Sequence, residues 1–160
     1  MENLVIYTDG SCKRHGEAII GTYGYAYRIL TEGKKVCDLD PFDQKLIIEG
    51  GVLNNTCIHK LEMEAVIKAL ERTKTNMALL ADKIIIATDS RLTIRAIELN
   101  STFLELKNFF ENKKIEIEFI KVKAHSSNNV NQLIDRFVKK LRMKEEGRLE
   151  EWTFLTLQGI

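Results

Sequence analysis

LVIYTDGS, residues 4–11, is an apolar, β-favouring run that stops at a carboxylate, and IIIATDS, residues 84–90, repeats the figure. Each run reads as a buried strand closed by a small polar turn. Taken singly, Asp9 before Gly10 has the plain reading of a turn residue, and Asp89 that of a helix N-cap. Taken together they say more. In open mixed sheets, sites collect at the carboxyl ends of parallel strands. Two strands that both end in Asp therefore aim Asp9 and Asp89 at one point.

The chain around these runs changes period once. Residues 21–30, GTYGYAYRIL, alternate Tyr23, Tyr25 and Tyr27 with Gly24 and Ala26, the period of a strand. A turn at Glu32-Gly33 predicts a returning strand over Lys34–Leu39, closed by Pro41. Gln44–Leu53 supplies a further strand, with Gly50-Gly51 read as a bulge or bend. Beyond it, the spacing predicts a helix over Lys60–Lys74, a strand over Lys83–Thr88 and a short helix over Ser90–Leu99. Thr102 and Glu105 read as the capping box of a helix ending near Asn112. Ile115, Ile117 and Phe119 alternate with Glu116 and Glu118 in a strand over Lys114–Lys123. The last helix, from Asn128 to about Glu146, has the apolar face Val130, Leu133, Ile134, Phe137, Val138 and Leu141. The order βββαβααβα predicts an α/β fold, a five-stranded mixed sheet with helices packed over it, in one domain over residues 1–147. Residues 148–160 read as a C-terminal extension whose Trp152, Phe154, Leu155 and Leu157 dock as an extra strand or meet a partner.

Composition narrows the class. A chain of 160 residues is long enough to bury a core without staples. With 24 basic and 23 acidic residues, net charge supplies no general pull toward nucleic acid or membrane, so any such contact needs locally clustered cations. Cys12, Cys37 and Cys57 are odd in number and scattered, which argues for a reducing compartment, the cytoplasm. Cys12/His15 and Cys57/His59 together offer four ligands of the zinc-binding types, but the second spacing is too tight for the usual knuckle. MENLVIYTDG lacks the basic start and long apolar core of a signal peptide, and no apolar run approaches the ~20 residues of a membrane span.

Glu62 carries the strongest chemical signal. At about 100° per residue, Met63, Ala65, Val66, Ala69 and Leu70 share one arc, and Glu62 falls inside it. Glu64, Lys68, Glu71 and Arg72 lie opposite, with Glu64 and Lys68 placed to pair across one turn. A carboxylate facing inward without a cation on its own face calls for compensation, and a metal ion supplies it. The helix N-terminus is the weaker alternative. Asp135, by contrast, lies away from the apolar face near Asn131, Lys139 and Arg142, so its periodicity alone reads as a surface carboxylate paired with Lys139.

YTDGS, LEMEA, ATDS and VKAHSSNNVNQLID, in that order on this element pattern, resemble the type 1 ribonuclease H family, in a short form lacking its basic handle. The resemblance covers the chain to about residue 147. It implies four metal-binding and catalytic acids, Asp9, Glu62, Asp89 and Asp135, with His125 as the loop histidine that helps proton transfer or product release. It further implies two Mg²⁺ ions, replaceable by Mn²⁺, and hydrolysis of the RNA strand of an RNA–DNA hybrid to 5′-phosphate and 3′-hydroxyl ends. Hybrid contacts are expected from Ser11, Cys12, Lys13, Arg14, Asn54, Asn55, Ser90 and Asn131, with Lys121 and Lys123 as further aids.

The departures from that family are local. CKRHGEAII replaces the glycine-rich loop after TDGS, Ile58-His59 stands where an Asn pair usually precedes the helical Glu, and Ala124 replaces the Gly before the loop histidine. They predict intact metal chemistry with weakened substrate grip. They also keep a rival open, a non-catalytic module of the same fold that binds nucleic acid or a protein. A haloacid-dehalogenase-like phosphatase is excluded because its nucleophilic Asp position holds Tyr7.

Overall fold

The computed structural model describes residues 2–31, 46–76, 81–122 and 129–158. The expected returning strand Lys34–Leu39, Cys37, Lys123 and the loop histidine His125 lie outside them. The elements run β1 (Glu2–His15), β2 (Ala18–Thr31), β3 (Ile47–Val52), α1 (Ile58–Thr75), β4 (Lys83–Thr88), α2 (Arg91–Ile97), α3 (Ser101–Asn112), β5 (Glu116–Lys121) and α4 (Asn129–Gln158). The five strands form one mixed sheet in the order β3-β2-β1-β4-β5. β1 pairs antiparallel with β2 and parallel with β4, which is itself parallel to β5.

β1 is the centre of the sheet because both its faces are apolar. Leu4, Val5, Ile6 and Tyr7 are all fully buried. Leu4 and Ile6 join Val66, Leu70, Ile84, Ile86, Phe103 and Phe110 on the face covered by α1 and α3. Val5 and Tyr7 join Ala26, Val130, Ile134 and Val138 on the face covered by α4. Each fully buried aliphatic side chain contributes roughly 1.5–3 kcal/mol, so the two half-cores together hold the three-layer arrangement. Tyr25 and Tyr27 fall on the first face and Ala26 on the second, as their alternation requires.

The first run does not end at Asp9. β1 continues to His15 in an unbroken hairpin with β2, through Asp9↔Gly24 to His15↔Ala18. What ends is the parallel ladder, whose last pair with β4 is Tyr7↔Ala87. Asp9 and Asp89 therefore sit just past the point where β1 and β4 part.

Two glycines let helices close on that point. A Cβ at Gly10 would lie 2.9 Å from the Leu61 Cβ, so glycine is what admits α1 to β1. A Cβ at Gly24, the partner of Asp9 across the hairpin, would lie 2.7 Å from a Val138 methyl of α4. Gly50-Gly51 is not a bulge. The β2–β3 register runs without interruption from Tyr27↔Ile47 to Thr22↔Val52. There a Cβ at Gly50 would come within 2.2 Å of the Tyr23 carbonyl oxygen, and one at Gly51 within 2.5 Å of its hydroxyl.

Two boundaries also differ from expectation. α3 is capped by Asn100, whose side chain accepts from the Phe103 amide at 3.0 Å, so Thr102 and Glu105 lie inside the first turns rather than forming a box. α4 runs on to Gln158, and the segment expected to add a strand is helical. Among the described residues no helix is long and apolar enough to cross a membrane.

Candidate active site

Four acids converge where the parallel ladder opens. Alternation along β1 turns Asp9 toward the α4 side, where Val5 and Tyr7 also point. Asp89 follows the last residue of β4, Glu62 lies in the first turns of α1, and Asp135 lies in the second turn of α4. Asp9, Glu62 and Asp89 each offer one carboxylate oxygen, and these oxygens lie within 4.8 Å of one another. Asp135 stands beside them: with Asp9, Asp89, Asn131 and Gln132 it lines a cleft of about 150 Å³. Its other side is occupied as periodicity predicted, by Lys139 Nζ donating to Oδ2 at 2.8 Å. The surface pair and the place on the cleft belong to the same carboxylate.

Like charges this close repel. Two unit charges at ~4 Å interact by about 4 kcal/mol at an effective dielectric of about 20. The Asp9 carboxyl is pushed up to about 7 by burial and by these neighbours. Burial is the main cause, the Gly10 amide (2.8 Å from Oδ1) opposes it, and the charges of Asp89, Asp135 and Glu62 add to it. Glu62 is also raised, first by burial, then opposed by the Thr93 hydroxyl, which donates to Oε2 at 2.5 Å. Asp89 raises it further, while the Ser90 hydroxyl and His59 favour its ionised form. Glu62 is only 7% exposed, as its position on the helix arc predicted, and Glu64 faces outward to Lys68 at 3.7 Å.

The donor set is all oxygen. Clustered carboxylates with little other compensation suit a hard divalent cation, Mg²⁺, Mn²⁺ or Ca²⁺, better than zinc. The raised Asp9 makes the same point energetically, since a bound cation would offset the burial and the repulsion that now favour its protonation.

The expected substrate-binding residues separate into groups. Lys13 and Arg14 are exposed near the β1–β2 turn, Cys12 is half-buried, and Asn131 forms part of the cleft wall. Ser11 is buried and accepts a hydrogen bond from Arg142 Nη1 at 3.1 Å, so its hydroxyl faces α4. Ser90 caps α2 by accepting from the Thr93 amide at 3.1 Å. Asn54 and Asn55 accept from the Gly21 and Ile19 amides at 3.2 and 3.0 Å, which staples their segment to β2.

Sequence reasoning missed Gln132, Thr93 and Arg142. Gln132 is exposed and polar, and nothing in its spacing marks it. Thr93 left a weak signal, a polar residue on the face of α2 that also buries Ile97. Arg142 was placed near Asp135, but it reaches instead to Ser11 and to Glu146, at 3.5 Å.

Comparison with known proteins is consistent along the chain. The family model described as RNase H matches residues 1–142. The ribonuclease H of Treponema denticola is 28% identical over 161 aligned positions, covering 84% of this chain and 93% of that protein. That of Caldicellulosiruptor saccharolyticus is 27% identical, covering 88% and 97%. Among solved structures, LC11-RNase H1 in complex with an RNA/DNA hybrid superposes with a TM-score of 0.55 over 86% of this chain and 98% of that one. At 17% identity that likeness speaks to the fold.

Proposed function

Because the chain belongs to the RNase H family, we propose that it is an endoribonuclease that hydrolyses the RNA strand of RNA–DNA hybrids by a two-metal-ion mechanism. The observation that carries this reading is the trio Asp9, Glu62 and Asp89, whose oxygens gather within 4.8 Å, with Asp135 on the same cleft. Asp9 would be shared by two Mg²⁺ ions, Asp135 would serve the nucleophile side, and Glu62 with Asp89 the leaving-group side. When bound, the ions would activate the attacking water and stabilise the departing 3′ oxygen, giving 5′-phosphate and 3′-hydroxyl ends; Mn²⁺ would substitute.

The remaining work falls to the chain. β1, β4, α1 and α4 hold the acids on rigid elements. The Gly10 amide keeps Asp9 oriented through Oδ1. Lys139 steadies Asp135 from the solvent side. His125, by resemblance, moves a proton or assists release. Lys13, Arg14, Cys12 and Asn131 would meet the hybrid, with its 2′-hydroxyls distinguishing RNA from DNA. Residues 1–147 would form the catalytic domain, with 148–160 as an extension, acting in the cytoplasm.

One observation favours the rival reading, a module of this fold that binds without cutting. Asn54 and Asn55 each accept a β2 amide at Oδ1, which ties to the sheet the two side chains that would otherwise replace the family's hybrid-gripping pair. The test is cleavage of a hybrid by Asp9→Asn, Glu62→Gln, Asp89→Asn and Asp135→Asn proteins of unchanged fold. Each is expected to lose activity by orders of magnitude. Retained activity in all four would remove the acids from the mechanism, and an inactive wild type that still binds hybrid would leave the rival.

A further inference from the structure

We infer that Thr93 is a positioning residue for the metal site, fixing the Glu62 carboxylate from the adjoining helix; the inference rests on the metal-dependent reading above. Thr93 is fully buried, and its hydroxyl donates to Glu62 Oε2 at 2.5 Å. A buried hydroxyl is unfavourable unless it is hydrogen-bonded. Valine would fill the same volume without that requirement, so the hydroxyl is explained by the bond it makes. Threonine is also stiff at χ1, which gives its oxygen a narrow range of positions.

The location gives this bond its consequence. α2 begins directly after Asp89, and Ser90 anchors its first turn by accepting the Thr93 amide. The Ser90 side chain, close by, also favours the ionised form of Glu62. One helical turn thus follows one acid of the trio and supplies the Thr93 hydroxyl to another, tying the end of β4 to α1. With Oε2 held by Thr93, the carboxylate is fixed in rotation and presents its remaining oxygen capacity toward Asp9 and Asp89. Glu62 is long and flexible, and on a helix wall it needs such a partner more than the shorter Asp9 and Asp89 do.

The test is Mn²⁺ binding to the free, full-length protein by calorimetry, on wild type, Thr93→Val, Thr93→Ser and Glu62→Gln, with thermal unfolding measured beside it. Thr93→Val is expected to weaken Mn²⁺ binding about 10- to 100-fold, and Thr93→Ser to restore most of it. In hybrid cleavage, Thr93→Val is expected to lower kcat with KM for the hybrid unchanged. Adding Thr93→Val to Glu62→Gln is expected to weaken binding no further, because the carboxylate through which it acts is already gone. If Thr93→Val does not fold, Thr93→Ala takes its place as the hydroxyl-free variant. Equal Mn²⁺ affinity in wild type and the hydroxyl-free variant would overturn this inference alone. A wild type that binds no Mn²⁺ would overturn the metal reading and this inference with it.

Discussion

Asp9 is held in a conflict that a cation would resolve, and the conflict has a measurable sign. Its carboxyl is raised from 3.8 to about 7, so the folded, metal-free protein binds this proton more tightly than the unfolded chain does. The stability contributed by that proton is fully present below about pH 4 and is lost as pH rises through about 7. Glu62 is shifted in the same direction. In the presence of a chelator, the thermal midpoint of wild type is therefore expected to fall across this window. Asp9→Asn is expected to flatten the fall, and saturating Mg²⁺ to oppose it. A wild-type midpoint that rises through the window in chelator, with Asp9→Asn unchanged in slope, would contradict the assignment.

Elements bring the acids together, and glycines set how near they come. Gly10→Ala would set a methyl against the backbone-proximal Leu61 Cβ, which cannot swing aside, so α1 must shift and carry Glu62 with it. The expected result is a loss of about 1–3 kcal/mol in denaturant unfolding, accompanied by weaker divalent-cation binding. On the other face, Arg142 links α4 to β1 through Ser11 and pairs with Glu146, while Thr22 Oγ1 donates to the Val138 carbonyl at 2.7 Å. Arg142→Met is expected to lower the unfolding free energy by roughly 1–3 kcal/mol, read as a lower urea midpoint at a slope near that of wild type, because Ser11 and a poorly exposed Glu146 lose their partner.

What could be read from sequence divides along the same lines. Glu62 was legible because a helix arc reports its buried face directly. Asp135 was not, because it points sideways into a cleft formed by strand ends, and a helical wheel has no coordinate for that direction. The Asp9 strand was legible as buried, but its length was hidden: pairing with β2 carries it past the point where β4 leaves. Gly50-Gly51 misled because a bulge and a close backbone approach leave the same residue type.

At the scale of the molecule, the sheet order β3-β2-β1-β4-β5 puts the parallel strands β1 and β4 side by side at its centre, and the site lies where they diverge. The balanced charge, 24 basic against 23 acidic residues, leaves substrate attraction to local groups. Lys13→Ala with Arg14→Ala is accordingly expected to raise KM for a hybrid severalfold while kcat stays near wild type, and to lessen the salt dependence of binding. A fall in kcat with constant KM would move those residues out of substrate grip.

The central claim is most directly tested by a single cleavage assay. A hybrid labelled separately on its RNA and DNA strands is incubated with wild type in Mg²⁺ or Mn²⁺, beside the same duplex made wholly of DNA. The expected products are RNA fragments with 5′ phosphates and an intact DNA strand, with no cutting of the DNA duplex. A folded protein that cuts nothing with either metal, or that cuts the DNA duplex equally well, would contradict the account.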